Sequence, residues 1–226
     1  MSIITGKGGF VKSRRNRLDP IAALSPIAYF QSGDYIINGS GASQWNDSSG
    51  NNLNLIQNTS NSRPTLGNIN GVHCLDFNGG QSMITASFNL VRPDYTFILV
   101  ERNLSGEVGA APFSFSTNTT TSGIIMQNNG GMQPYINPRP PYNSSTARIL
   151  QITSGSTQGF INGASNDISF SGYANASITL AVGFRQASSI FTSGSIGMLA
   201  IIPGTITVEL SHTIHNFLAQ KWLINL

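Results

Sequence analysis

Charge is the scarcest property of this sequence. Only 9% of its 226 residues are Asp, Glu, Lys or Arg, against about 25% in an average soluble domain. Coiled coils and long-helix proteins are excluded, because they need Ala, Glu, Lys and Leu in quantity. Cysteine is almost absent: Cys74 stands alone, so there is no disulfide framework, no CxxC pair and no thiolate metal cluster. Long apolar runs are missing too. The longest, at 95–100 and at 196–202 with Gly197 inside it, fall far short of the roughly 20 residues that span a bilayer. The first residues lack the apolar stretch and small-residue cleavage site of a secretory signal, so the expectation is synthesis in a cytoplasm and no membrane association.

What replaces charge is a set of small polar residues. Ser (29), Thr (17), Asn (23) and Gly (24) fill 93 positions, which predicts an uncharged, hydrogen-bonding surface. The 39% hydrophobic content excludes intrinsic disorder. A chain of this length buries about 70% of its unfolded surface, enough for one self-sufficient core. The formal charge of +3 is unevenly spread. Lys7, Lys12, Arg14, Arg15 and Arg17 lie in an opening stretch with no acid, whereas from Leu18 onward 7 basic residues face 9 acidic ones. This divides the chain into a basic arm, 1–19, and one domain, 20–226.

Within the domain, short apolar segments alternate with Gly, Asn and Pro. Strands are predicted at 27–30, 53–57, 73–77, 83–88, 96–101, 112–116, 123–127, 132–136, 147–153, 157–161, 178–184 and 195–202. The turns between them include Asn38-Gly39, Asn70-Gly71 and Asn162-Gly163, a dipeptide that suits the positive φ angles of tight hairpins. Many short strands at this spacing indicate a sandwich or barrel. One segment differs: Leu210, Ile214, Phe217, Leu218 and Trp222 recur at helical spacing. Thr207 is placed to cap that helix and Glu209 to meet its dipole. The fold class is therefore all-β with one C-terminal amphipathic helix.

Particular segments point further. Ser43-Gln-Trp-Asn-Asp-Ser-Ser-Gly-Asn51, Arg63-Pro64-Thr65, Asn70-Gly71 and Leu75-Asp-Phe-Asn-Gly79 resemble the opening of concanavalin A-like, laminin-G-like jelly-roll domains. The strand from Thr96, the hairpin Gly159-Phe-Ile-Asn-Gly163 and the closing Leu218-Ala-Gln-Lys-Trp222 fit the same family in the same order. The resemblance implies a jelly-roll sandwich of two antiparallel sheets. It also implies the usual setting of such domains in phage tails, capsid surfaces and bacterial surface proteins, as adhesion or carbohydrate-binding modules. Relatives often carry an acid after the Phe-x-Gly turn, where this chain has Gly80-Gln81-Ser82; no family calcium site is expected.

The candidate sites are few. Glycoside hydrolysis needs two carboxylates about 5–9.5 Å apart. Glu101 and Glu107 are the one close pair of glutamates, six residues apart across an expected turn, and the jelly-roll glucanases that the resemblance brings to mind set theirs on alternate positions of one strand. With Arg102 adjacent, Glu101 reads as an ion-pair partner or an exposed residue. His212 and His215 have a spacing able to hold a metal, but without a third ligand they read as a solvated helix face. His73 and Cys74 are expected to pack in a strand, Trp45 and Trp222 in the core. Asp47, Ser49 and Asn51 are expected to bond local backbone rather than Ca²⁺. The most suggestive surface segment holds Tyr135, Arg139 and Tyr142 among prolines, a stiffened set of aromatic and donor groups suited to sugars.

The basic arm could neutralise phosphates, but docking on an acidic partner fits better, because no aromatic interleaving accompanies it and the body is slightly acidic. The expectation is a non-enzymatic virion structural protein, a phage tail fibre, spike or capsid-decorating module on the particle surface. It would be held to other virion proteins by Lys7, Lys12, Arg14, Arg15 and Arg17, homo-oligomeric with a trimer as the first state to test, and able to bind a cell-surface glycan. It would need no cofactor and no metal, and nucleic acid is disfavoured as a partner. A free-standing lectin is the alternative; a glycoside hydrolase is the least favoured reading.

Overall fold

The computed structural model describes residues 19–90, 94–106, 112–116, 121–127, 131–133, 146–153, 158–167, 176–185 and 190–226. Among them are 17 strands and one α-helix. The first strands are β1 (Ala28–Asn38), β2 (Gly41–Asp47), β3 (Leu55–Ile56), β4 (Thr65–Ile69), β5 (Val72–Asn78) and β6 (Met83–Ile84). Next come β7 (Phe88–Leu90), β8 (Tyr95–Gly106), β9 (Phe113–Ser116), β10 (Thr121–Gln127), β11 (Gly131–Gln133) and β12 (Arg148–Thr153). The last are β13 (Gln158–Ile161), β14 (Ala164–Asp167), β15 (Ala176–Val182), β16 (Phe184–Arg185) and β17 (Ile190–Pro203), followed by α1 (Val208–Trp222).

Every ladder among the described residues is antiparallel, and β17 is the hub. Along one edge its Leu199 and Ile201 oppose Leu99 and Phe97 of β8; along the other it meets β1 and β5. β12 extends this group from β8, then β13 and β14. A second group runs β2, β3, β6, β15, β9, β10, β11. β1 joins the two, pairing first with β17 and then with β2.

The groups face one another through strands that share no ladder: the Phe97 ring lies 5.0 Å from Phe113 and 5.3 Å from Phe115. Alternation along β8 decides which core each residue enters. Tyr95, Phe97 and Leu99 join Trp45, Leu55, Met83, Leu180 and Val182 between the groups. Ile98 and Val100, with Met198, Ala200 and Ile202 of β17, pack under Ile214, Leu218 and Trp222 of α1. The centres of β8 and β17 are thus buried on both faces, which is why they read as near-continuous apolar runs.

The expected turns and helix form as their chemistry requires. Asn70-Gly71 and Asn162-Gly163 both hold positive φ at both residues (52° and 85°, 47° and 80°), the geometry of two-residue hairpins. Thr207 accepts the Leu210 N–H at the start of α1, and Asn70 donates to the Trp222 and Leu223 carbonyls at its end. Several expected boundaries move. The segment 83–88 divides into β6 and β7, and 178–184 breaks at Gly183. There φ is +84° and a Cβ would overlap the Phe77 ring. The strands β2, β4 and β14 were not expected, and β1 runs on to Asn38. Among the described residues no helix is long and apolar enough to cross a membrane.

Candidate functional site

A pocket lies where α1 crosses the β13–β14 turn. It encloses about 330 Å³ and is lined by Asn162, Gly163, Ala164, His212, His215, Asn216 and Leu226. Its wall is held by hydrogen bonds on both sides of the turn. Asn162 is bonded twice to Ile149, its Oδ1 accepting the Ile149 N–H at 2.8 Å and its N–H donating to the Ile149 carbonyl at 2.9 Å. The Gly163 N–H donates to His215 Nδ1 at 2.8 Å. His215 is fully buried, and burial, aided by neighbouring His212, holds its pKa down to about 4. Its imidazole is therefore neutral and carries its proton on Nε2. His212 stands exposed at the mouth with its ring edge-on to Phe160 at 5.8 Å. Asn216, one turn further along the helix, is also exposed.

This corrects the reading of the two histidines as a solvated face. His212 is exposed, but His215 faces inward, because the buried stripe of α1 is centred on Ser211, Ile214, His215, Leu218 and Trp222. With Nδ1 engaged as an acceptor, His215 has no free lone pair for a metal. The i, i+3 and i, i+7 relation of His215 to Leu218 and Trp222 was the signal for its burial; its partner, a backbone N–H on the β13–β14 hairpin, is not visible in the sequence. Asn216 went unnoticed as well; its i, i+4 relation to His212 was the available signal.

Glu101 is wholly buried on β8 and is paired with Arg148, not with Arg102. Arg148 Nε and Nη2 both reach Glu101 Oε1 at 2.6 Å. Ladder register explains the choice: Arg148 lies directly opposite Glu101 on β12, whereas the sequence neighbour Arg102 points to the other face and donates to the Asn68 carbonyl. Burial pushes the Glu101 carboxyl above its ordinary pKa, opposed by the Arg148 guanidinium and the Leu104 N–H. Glu107 lies outside the described residues.

Other expected sites resolve into structural roles. Asp47 accepts from the Tyr29, Ser49 and Leu53 backbone N–H groups and from the Ser49 hydroxyl. Four donors saturate its oxygens and leave none for Ca²⁺. Gln81 accepts the Asn78 N–H and closes its own turn. Cys74 is buried, and its thiol, pushed up to about 12 chiefly by burial and then by Asp76, is no nucleophile near neutral pH. His73 is exposed instead of packed. Trp45 and Trp222 are fully buried core residues. Tyr135, Arg139 and Tyr142, and the arm residues Lys7, Lys12, Arg14, Arg15 and Arg17, lie outside the described residues.

No protein-family model and no curated protein sequence matches this chain. Solved structures do share its fold. Trypanosoma rangeli sialidase in complex with sialic acid aligns over 88% of this chain and 33% of its own, with a TM-score of 0.56 and 12% identity. The same sialidase with a difluoro-KDN ligand gives 0.57 and 14% over 89% of this chain. An arabinofuranosidase complexed with arabinofuranosyl-alpha-1,2-xylobiose aligns over 77% of this chain and 50% of its own, with a TM-score of 0.51 and 14% identity. The chain thus spans about a third of the sialidases and half of the arabinofuranosidases it matches. At these identities the likeness speaks for an all-β fold. It nevertheless overturns the expectation that the chain is not an enzyme: the structures sharing this fold are glycoside-cleaving enzymes, so scarcity of paired carboxylates does not carry that exclusion.

Proposed function

We propose that this chain is a concanavalin A-like, laminin-G-like jelly-roll domain that recognises glycans from the surface of a virus particle, held there by its basic N-terminal arm. The observation that supports glycan recognition is the shared fold. This chain aligns over 88% of its length with a sialidase solved with sialic acid and over 77% with an arabinofuranosidase solved with an arabinofuranosyl-xylobiose, whose ligands belong to those proteins. Display on a particle is supported by the charge-poor Ser, Thr, Asn and Gly composition and by the five cations of the opening stretch. Oligomerisation follows from the same reading, since subunit contacts cover sheet edges that carry few charges.

A two-part experiment tests this. Deleting residues 1–17 abolishes incorporation into particles while leaving the thermal melt of the domain in place; undiminished incorporation overturns the anchoring role. Screening the full chain on a glycan array returns reproducible binders, and a blank array overturns glycan recognition.

A further inference from the structure

Resting on that glycan reading, we propose that the pocket between α1 and the β13–β14 turn is the sugar subsite, and that it takes a neutral pyranose. Its volume of about 330 Å³ is at the low end of the ~300–1,000 Å³ range of small-molecule pockets, which suits a ring or two and not a longer chain segment. The groups offered at its mouth match hydroxyls. Asn216 supplies both an amide donor and a carbonyl acceptor, and His212 supplies a ring nitrogen of either kind. The two stand one helical turn apart on one exposed face of α1, the spacing at which side chains act together.

The remaining walls favour a sugar over an ion. Leu226, 54% exposed, gives an apolar surface against which ring C–H groups can pack. No Lys, Arg, Asp or Glu side chain is in the lining. The lining offers a sugar carboxylate no Lys or Arg to pair with, whereas hydroxyls find amide and imidazole partners there. The turn that forms one wall of the site is fixed before ligand arrives. The turn is tied to β12 through Asn162 and to α1 through His215, and Phe160 holds the His212 ring edge-on. That wall loses little freedom on binding.

The test is saturation-transfer NMR at pH 7.5 on the full chain. The probes are galactose, glucose, mannose and N-acetylglucosamine, with N-acetylneuraminic acid and glucuronic acid as acidic counterparts. At least one neutral sugar is expected to bind, and about tenfold more weakly to His212→Ala and to Asn216→Ala, both with unchanged melting curves. Asn216 is exposed, so that variant reads the site even if His212→Ala disturbs Phe160. If a neutral sugar binds undiminished to both variants, or is lost on Tyr135→Ala instead, the subsite is refuted while glycan recognition stands. If an acidic sugar binds best and the variants weaken it, the neutral class is refuted. If no probe binds while the glycan array returns binders, the subsite is refuted and glycan recognition stands; if the array is blank as well, both fall.

Discussion

His215 Nδ1 accepts the Gly163 N–H at 2.8 Å across the gap between α1 and the β13–β14 turn. That bond exists only while Nδ1 is unprotonated. The folded pKa is held down to about 4, against about 6.5 in an unfolded chain. Between these values the unfolded chain binds more protons, so stability rises with pH across that window and is flat above it. The full contribution is about 3 kcal/mol. Urea midpoints at pH 4, 5, 6 and 7.5 measure it. His215→Gln flattens the profile, and comparing the two chains removes the contribution of Glu101, whose raised pKa acts in the opposite direction. A variant profile as steep as the parent's would assign the pH dependence elsewhere.

Gly197 faces the six-membered ring of Trp222, and a Cβ at that position would overlap it. Trp222 is fully buried and cannot swing away. Gly197→Ala is expected to cost about 1–3 kcal/mol, as overpacking of a closed core does. Trp222→Leu added to it recovers part of the loss, read from denaturation midpoints of the single and double variants.

Removing one member of the Glu101–Arg148 pair leaves the other charge buried. Arg148→Met is expected to destabilise by about 3–5 kcal/mol near neutral pH. Glu101→Leu in the same chain restores most of that, because no ion is then left in the interior. A double variant no better than Arg148→Met would mean that the loss came from packing and not from charge.

Asp47 is expected to behave as a hydrogen-bond hub, not a metal ligand. Asp47→Ala strands the four donors that converge on it, at about 2 kcal/mol or more. Millimolar Ca²⁺ leaves the Tm of the parent chain unchanged; a rise of several degrees would contradict the saturation of its oxygens.

The parts legible from sequence are those whose cause is local. Asn162-Gly163 announces a turn because the dipeptide tolerates positive φ, and Thr207 announces a helix start because its oxygen reaches Leu210 N–H. Hidden features depend on partners distant along the chain. β2 and β4 are rich in Gly, Ser, Asn and Gln and lack a clean alternation, yet they form because β1 and β5 supply ladder partners. Arg148 rather than Arg102 neutralises Glu101 because of strand register, and the hydrogen-bond partner of His215 lies on a neighbouring hairpin. The pocket combines all of these: each wall is locally readable, but their meeting is not.

The position of β17 has a consequence for how the chain is made. Its Ile201 pairs with Ala28 and with Phe97, so the first long strand waits for nearly the last to be synthesised. Contacts this distant in sequence close slowly. Until β17 emerges, β1, β5 and β8 each present an open edge lined with apolar side chains, the kind of surface that templates aggregation. A ribosome stalled before residue 190 would release a chain without its hub strand, and cells producing this protein would hold such fragments as insoluble material or degrade them.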